Sequence, residues 1–133
     1  MKYTSNRNTR LVLAQYIFSN GFMSTDIEEI LDMINMEFDD IEINMELLNN
    51  LIKIYEEKKE YFNNILQSLF DNESCFDKFI IALAIGAMCE IEFGTDMNLV
   101  VSEFTKICVI SDSNFKLLNG ILHKYKSTIQ INK

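Results

Sequence analysis

Apolar residues recur along this chain at the three- and four-residue intervals of an α-helix, in six or seven separate runs. The first, Leu11, Ala14, Ile17 and Phe18, predicts a helix from about Thr9 to Ser19, capped by Asn8 or Thr9 and closed by Gly21. Arg7, Arg10 and Gln15 stand off that stripe, free to face water or a ligand. The second, Ile27, Ile30, Leu31 and Ile34, follows Thr25, which with Glu28 matches a capping box. Residues 36–43 read as an acidic loop. A third run starts near Asn44 with Leu47, Leu48, Leu51, Ile54 and Tyr55. It resumes at Phe62, Ile65, Leu66 and Leu69 after the charged stretch 56–60. One bent helix or two consecutive helices fit this pattern equally well.

The next stretch, from Cys75 to Phe93, departs from the pattern. Phe79 to Cys89 holds no charge, so as a helix it is apolar on every face and requires neighbours all round. It falls short of the roughly 20 apolar residues that span a bilayer, and Asp77, Lys78, Glu90 and Glu92 fence its ends. Ser74 with Asp77 can cap its start and Gly94 can end it. A helix carrying Met97, Val100, Val101, Phe104, Ile107 and Cys108 follows. The last helix begins at Ser111, Asp112 or Ser113 and turns Leu118, Ile121, Leu122 and Tyr125 inward. Lys116, Asn119, His123 and Lys126 form its polar, basic face.

With no proline and four glycines the chain lacks the turn residues of sheet proteins. The expected class is an all-α bundle of about six to seven helices in a single domain, 1–133. The opening residues do not read as a signal peptide. Cys75, Cys89 and Cys108 lie in apolar stretches without a Cys-x-x-Cys pair, which suggests buried thiols in the reducing cytoplasm.

Charge is unevenly distributed. All twenty acidic residues lie between Asp26 and Asp112, where five lysines leave that span at −15. Residues 1–25 carry +3 and residues 113–133 carry +4, both without an acid. The expectation is that the two basic ends meet in space as a patch for a polyanion, while the acidic body recruits a basic protein. Catalytic and metal-binding patterns are missing. The 36–43 loop lacks the glycine and alternating oxygen ligands of a calcium site. Glu56, Glu57 and Glu60 alternate with lysines as a solvated ion-pair face. His123 has no nucleophile or carboxylate at a readable spacing. No phosphate loop or nucleophile elbow occurs, so neither an enzyme nor a cofactor is expected.

Three stretches resemble the NusB family of bacterial transcription antitermination factors. Arg10 to Phe18, RLVLAQYIF, is similar to its first helix, an Arg followed by an apolar run with a Gln and a closing aromatic. Asp77-Lys78 and the apolar helix ending Cys89-Glu90-Ile91 resemble its middle helix, which usually closes Tyr-Glu-Leu. Ser111 to Lys124, SDSNFKLLNGILHK, resembles its last-helix signature with Asn119-Gly120. The resemblance implies two packed halves of helices and a binding role. Its partners would be boxA RNA, the small-subunit ribosomal protein NusE and the RNA polymerase antitermination complex, with no membrane. Homodimers that cover the RNA surface occur in the family. By position, Arg7, Arg10, Gln15 and Phe18 would face RNA from the first helix, and Lys116 and Asn119 from the last. Asp77 would lie near the same surface, and either Asp112 or Ser113 would fill the family's acidic position. The basic cluster before the first helix is thinner here than in the family, which implies fewer phosphate contacts and a heavier reliance on NusE. A competing reading is an acidic all-helical protein-interaction module with no RNA role. A third, a fragment of an RNA methyltransferase with a NusB-like front domain, is disfavoured by length.

Overall fold

The computed structural model describes residues 2–20, 26–37, 42–69, 78–110 and 115–131, and these form six helices. They are α1 (Lys2–Asn20), α2 (Ile27–Glu37), α3 (Met45–Leu69), α4 (Lys78–Phe93), α5 (Met97–Ile110) and α6 (Phe115–Ile131). The expected all-α class is the one observed.

α4 occupies the centre because its composition leaves it no solvent face. Ile80 and every residue from Ala82 to Glu90 are buried. It packs on α1, α3, α5 and α6, and these four close a ring around it, α1 on α3, α3 on α6, α6 on α5 and α5 on α1. α2 lies outside the ring against α1. One apolar cluster draws buried residues from all six helices. Gly86, in the middle of α4, permits close packing there. A Cβ at that position would stand 3.3 Å from Phe104 Cε1 and 3.5 Å from Leu13 Cδ2. α4 ends in a Schellman motif. Gly94, at φ 111°, donates its N–H to the Ile91 carbonyl, and Thr95 donates to that of Glu90. Glycine reaches this left-handed conformation without a Cβ penalty.

α3 is one continuous helix of 25 residues. Tyr55 and Phe62 are seven residues apart, close to two full turns, so they share a face and the charged stretch between them lies opposite the core. There Lys59 pairs with Glu56 at 3.5 Å, while Lys58 reaches Glu92 on α4 at 2.8 Å. The inward faces expected for α5 and α6 are observed. Val100, Phe104, Ile107 and Cys108 are buried on α5, and Leu118, Ile121, Leu122 and Tyr125 on α6.

The start of α1 differs from expectation. α1 begins at Lys2, seven residues before Thr9. Thr9 does not cap it. Its buried Oγ1 accepts the Asn44 backbone N–H at 2.8 Å, and Asn8 Nδ2 donates to the Glu42 carbonyl at 3.1 Å. These two residues therefore tie the start of α3 to α1. Asn44 caps α3 in turn, its Oδ1 accepting from the Leu47 N–H. Asp26 caps α2, with its Oδ1 accepting from the Glu28 N–H at 3.4 Å. Thr25, Gly21 and Ser74, named above as capping residues, lie outside the described residues. The buried side of α1 is also broader than its predicted stripe. Val12, Leu13 and Tyr16 are buried and Leu11 is exposed, because α2, α3, α4 and α5 all pack on this helix.

Among the described residues no helix is long and apolar enough to cross a membrane.

Candidate functional site

Arg10 occupies the most consequential polar site in the molecule. It does not face water as its place off the apolar stripe suggested. Its side chain is 6% exposed, and it makes a two-point contact with Glu90 of α4, which is 1% exposed. Nε donates to Oε1 at 2.7 Å and Nη2 donates to Oε2 at 2.8 Å. Glu90 is therefore not part of a solvated fence at the end of α4. It is the counter-ion of a residue 80 positions away. Burial works against the charge on Arg10, but the hydrogen bonds and negative charge of Glu90, with further charge from Glu103, outweigh it and raise the guanidinium pKa above its ordinary value.

Glu103 of α5 completes the cluster. Its carboxylate is 7% exposed and lies 3.8 Å from Arg10 Nη1, 3.6 Å from Arg7 Nη2 and 3.6 Å from Lys106 Nζ. Three cations thus surround two carboxylates where α1, α4 and α5 meet. Neither carboxylate was legible as a site residue, although a signal existed. Glu103 interrupts the buried series Val100, Phe104, Ile107 at helical spacing, and Arg10 lies four and seven residues before the buried Ala14 and Ile17. An acid and a base on buried faces of different helices need each other. The cluster fixes α1 against α4 and α5.

The other predicted RNA contacts are dispersed. Gln15 is exposed. Arg7 is 39% exposed at its side chain, with its buried Nε lacking a hydrogen-bond partner. Phe18 is half-buried and meets Phe79 edge-on, with centroids 6.0 Å apart. Lys116 is exposed. Asn119 is half-buried, its Oδ1 accepting the Thr105 hydroxyl at 2.8 Å. Asp77, Asp112 and Ser113 lie outside the described residues.

The two basic ends are not brought together by direct packing of their helices. α1 and α6 are not a packed pair. They stand diagonally across α4, with α5 between them on one side and α3 on the other. The positive charge of α1 is answered by Glu90 and Glu103, whereas Lys116 of α6 makes no ion pair among the described residues. No group of three or more His, Cys, Asp or Glu side chains suited to a metal ion occurs among those residues.

Compared with protein-family models, curated proteins and solved structures, the chain matches none.

Proposed function

We propose that this chain is an antitermination factor of NusB type, which binds boxA-type RNA together with NusE and joins the RNA polymerase antitermination complex in the cytoplasm. The observation that carries the reading is the Arg10–Glu90 pair. Arg10 belongs to the opening stretch that resembles the family and Glu90 to the middle stretch. A superficial likeness in two distant stretches supplies no reason for their charged residues to meet in one two-point contact. In this reading Arg10 is a positioning residue that orients α1, not a phosphate ligand. Gln15 and the outer part of Arg7 remain for RNA on that helix. The exposed acids of α2 and α3, Glu28, Glu29, Asp32 and Glu46, suit a basic partner such as a ribosomal protein.

The test is an anisotropy titration of labelled boxA RNA, and of a scrambled sequence, with the chain alone and with its cognate NusE, at two salt concentrations. Binding should favour boxA, tighten with NusE, and weaken with salt by a slope of about −0.7 for each phosphate neutralised. Equal binding of both RNAs with NusE present would refute the reading. The alternative, an acidic protein-interaction module without an RNA role, gains weight from the engagement of Arg10 by two carboxylates. It predicts NusE capture that RNA does not strengthen.

A further inference from the structure

A serine or threonine inside a helix can satisfy its hydroxyl on the carbonyl three or four residues before it. Ser68, Ser127 and Thr128 do so. They donate to the carbonyls of Ile65 at 2.8 Å, His123 at 3.3 Å and Lys124 at 3.0 Å. Thr105, in the interior of α5, does not. Its hydroxyl crosses to α6 and donates to Oδ1 of Asn119 at 2.8 Å. The two helices already meet through the apolar cluster to which Phe104, Ile107, Leu118 and Leu122 belong. Their packing therefore has a source other than this polar bridge.

The bond has a consequence for the amide. An asparagine side chain ends in an acceptor, Oδ1, and a donor of two hydrogens, Nδ2. A hydroxyl that donates to Oδ1 fixes which way round the amide lies. Nδ2 is then left without a partner among the described residues. It is not a buried orphan either, because the one buried side-chain nitrogen or oxygen lacking a partner among those residues is Arg7 Nε. The Asn119 amino group therefore reaches water with both hydrogens unused. It shares a side of α6 with Lys116, three residues before, and His123, four residues after, and both of these are exposed.

We infer that Thr105 is a positioning residue of the RNA site. Its hydroxyl holds the Asn119 amide with Nδ2 outward, so that this position offers donors alone and selects an acceptor oxygen of the RNA, a base carbonyl or a phosphate oxygen. The inference rests on the RNA-binding reading above and deepens it. The family resemblance places no RNA contact on α5, whereas this bond gives α5 a part in choosing the ligand through Asn119. Without the hydroxyl the amide can turn over and present Oδ1 as readily as Nδ2. An exocyclic amine of a base would then be accepted where only an acceptor is accepted now.

The experiment is an anisotropy titration of boxA RNA with NusE present, with thermal melting of each chain alongside. It compares the parent with Thr105→Val, Thr105→Ala, Thr105→Ser, Asn119→Ala and the double variant Thr105→Val with Asn119→Ala. A second set of RNAs replaces each uracil by cytosine and each guanine by adenine in turn, which exchanges a carbonyl acceptor for an amine donor. Thr105→Val keeps the shape of the side chain and Thr105→Ala the ease of helix formation, so the loss of the hydroxyl is read twice. Both should bind boxA about threefold more weakly than the parent, because the amide is no longer held ready. Thr105→Ser keeps the hydroxyl and should match the parent. In the Asn119→Ala background Thr105→Val should have no further effect, since a residue that acts through another is silent once the other is gone. If the acceptor is a base carbonyl, the parent should lose about tenfold at one exchanged base and Thr105→Val should lose clearly less there. If the acceptor is a phosphate oxygen, no exchanged base matters and the affinity pattern of the variants alone carries the inference. If the parent binds RNA and the variants without the hydroxyl bind it equally well, the inference is overturned while the RNA-binding reading stands. If Thr105→Ser does not match the parent, or Thr105→Val weakens binding equally with and without the Asn119 side chain, the threonine acts through helix packing and the inference is again overturned. If the parent binds no RNA, the reading falls and the inference with it.

Discussion

Replacing Arg10 with methionine isolates the physical role of the charged cluster. The substitution keeps much of the aliphatic volume and removes the guanidinium. Glu90 would then be left 1% exposed with no cation among the described residues, whereas Glu103 would retain Arg7 and Lys106 at 3.6 Å. Two short charge-assisted hydrogen bonds, at 2.7 and 2.8 Å, disappear together. Removing one partner of a buried pair costs about 3–5 kcal/mol, chiefly through the stranded charge. Against a total stability of roughly 5–15 kcal/mol, such a loss brings a domain of this size near its unfolding threshold. Glu103→Gln should cost far less, about 1 kcal/mol, because no buried carboxylate is stranded and Arg10 keeps Glu90. The double variant Arg10→Met with Glu90→Leu should recover most of the loss, since apolar replacement of both members of a buried pair is often close to neutral. Urea unfolding followed by far-ultraviolet circular dichroism measures the parent, these three variants and the single Glu90→Leu, with a shared slope checking that one transition is being compared. An Arg10→Met cost below about 1 kcal/mol, or a double variant whose loss equals the sum of the singles, would refute the assignment of a coupled buried pair. The cycle also bears on function. The double variant should still bind RNA if Arg10 only positions α1. Arg10→Glu would place three carboxylates together, so loss of binding in that variant would report unfolding and not a lost phosphate contact.

Two further outcomes follow from single residues. The Tyr16 hydroxyl donates to Glu56 Oε1 at 2.6 Å, and burial together with that carboxylate raises the phenol pKa well above its ordinary value. A raised folded-state pKa means a contribution fully present below the unfolded pKa, near 10, and lost as pH climbs beyond it. Stability should therefore fall above about pH 10, and Tyr16→Phe should make that decline shallower in urea titrations at pH 9 to 11. An unchanged alkaline slope would count against the pairing. Gly94→Ala should cost about 1 kcal/mol in the same assay, because the left-handed φ of 111° strains an alanine although no atom obstructs its Cβ. A stabilised Gly94→Ala chain would contradict the observed cap.

Legibility of the fold tracks the range of the interactions involved. Helical spacing is local, so the inward faces of α5 and α6 were readable from Val100, Phe104, Leu118 and Ile121. The all-round apolarity of Phe79 to Cys89 likewise placed α4 among neighbours on every side. The uncertain break in α3 resolves because the ladder of backbone hydrogen bonds continues through a solvated charged stretch. The start of α1 leaves no such trace, because its first turns are polar and apolar periodicity carries no signal there.

The candidate site behaves differently because its parts are distant in the chain. Residue order and chemistry alone determined that this is a helical protein with an apolar central helix, an acidic middle and two basic ends. Only tertiary packing decided which basic residues are drawn into buried ion pairs. The ring around α4 sets Arg10 on Glu90 and close to Glu103, and separates α1 from α6 by a helix on either side. Local periodicity is silent on such pairing, because a charge 80 residues away enters the balance only once the chain has folded around it.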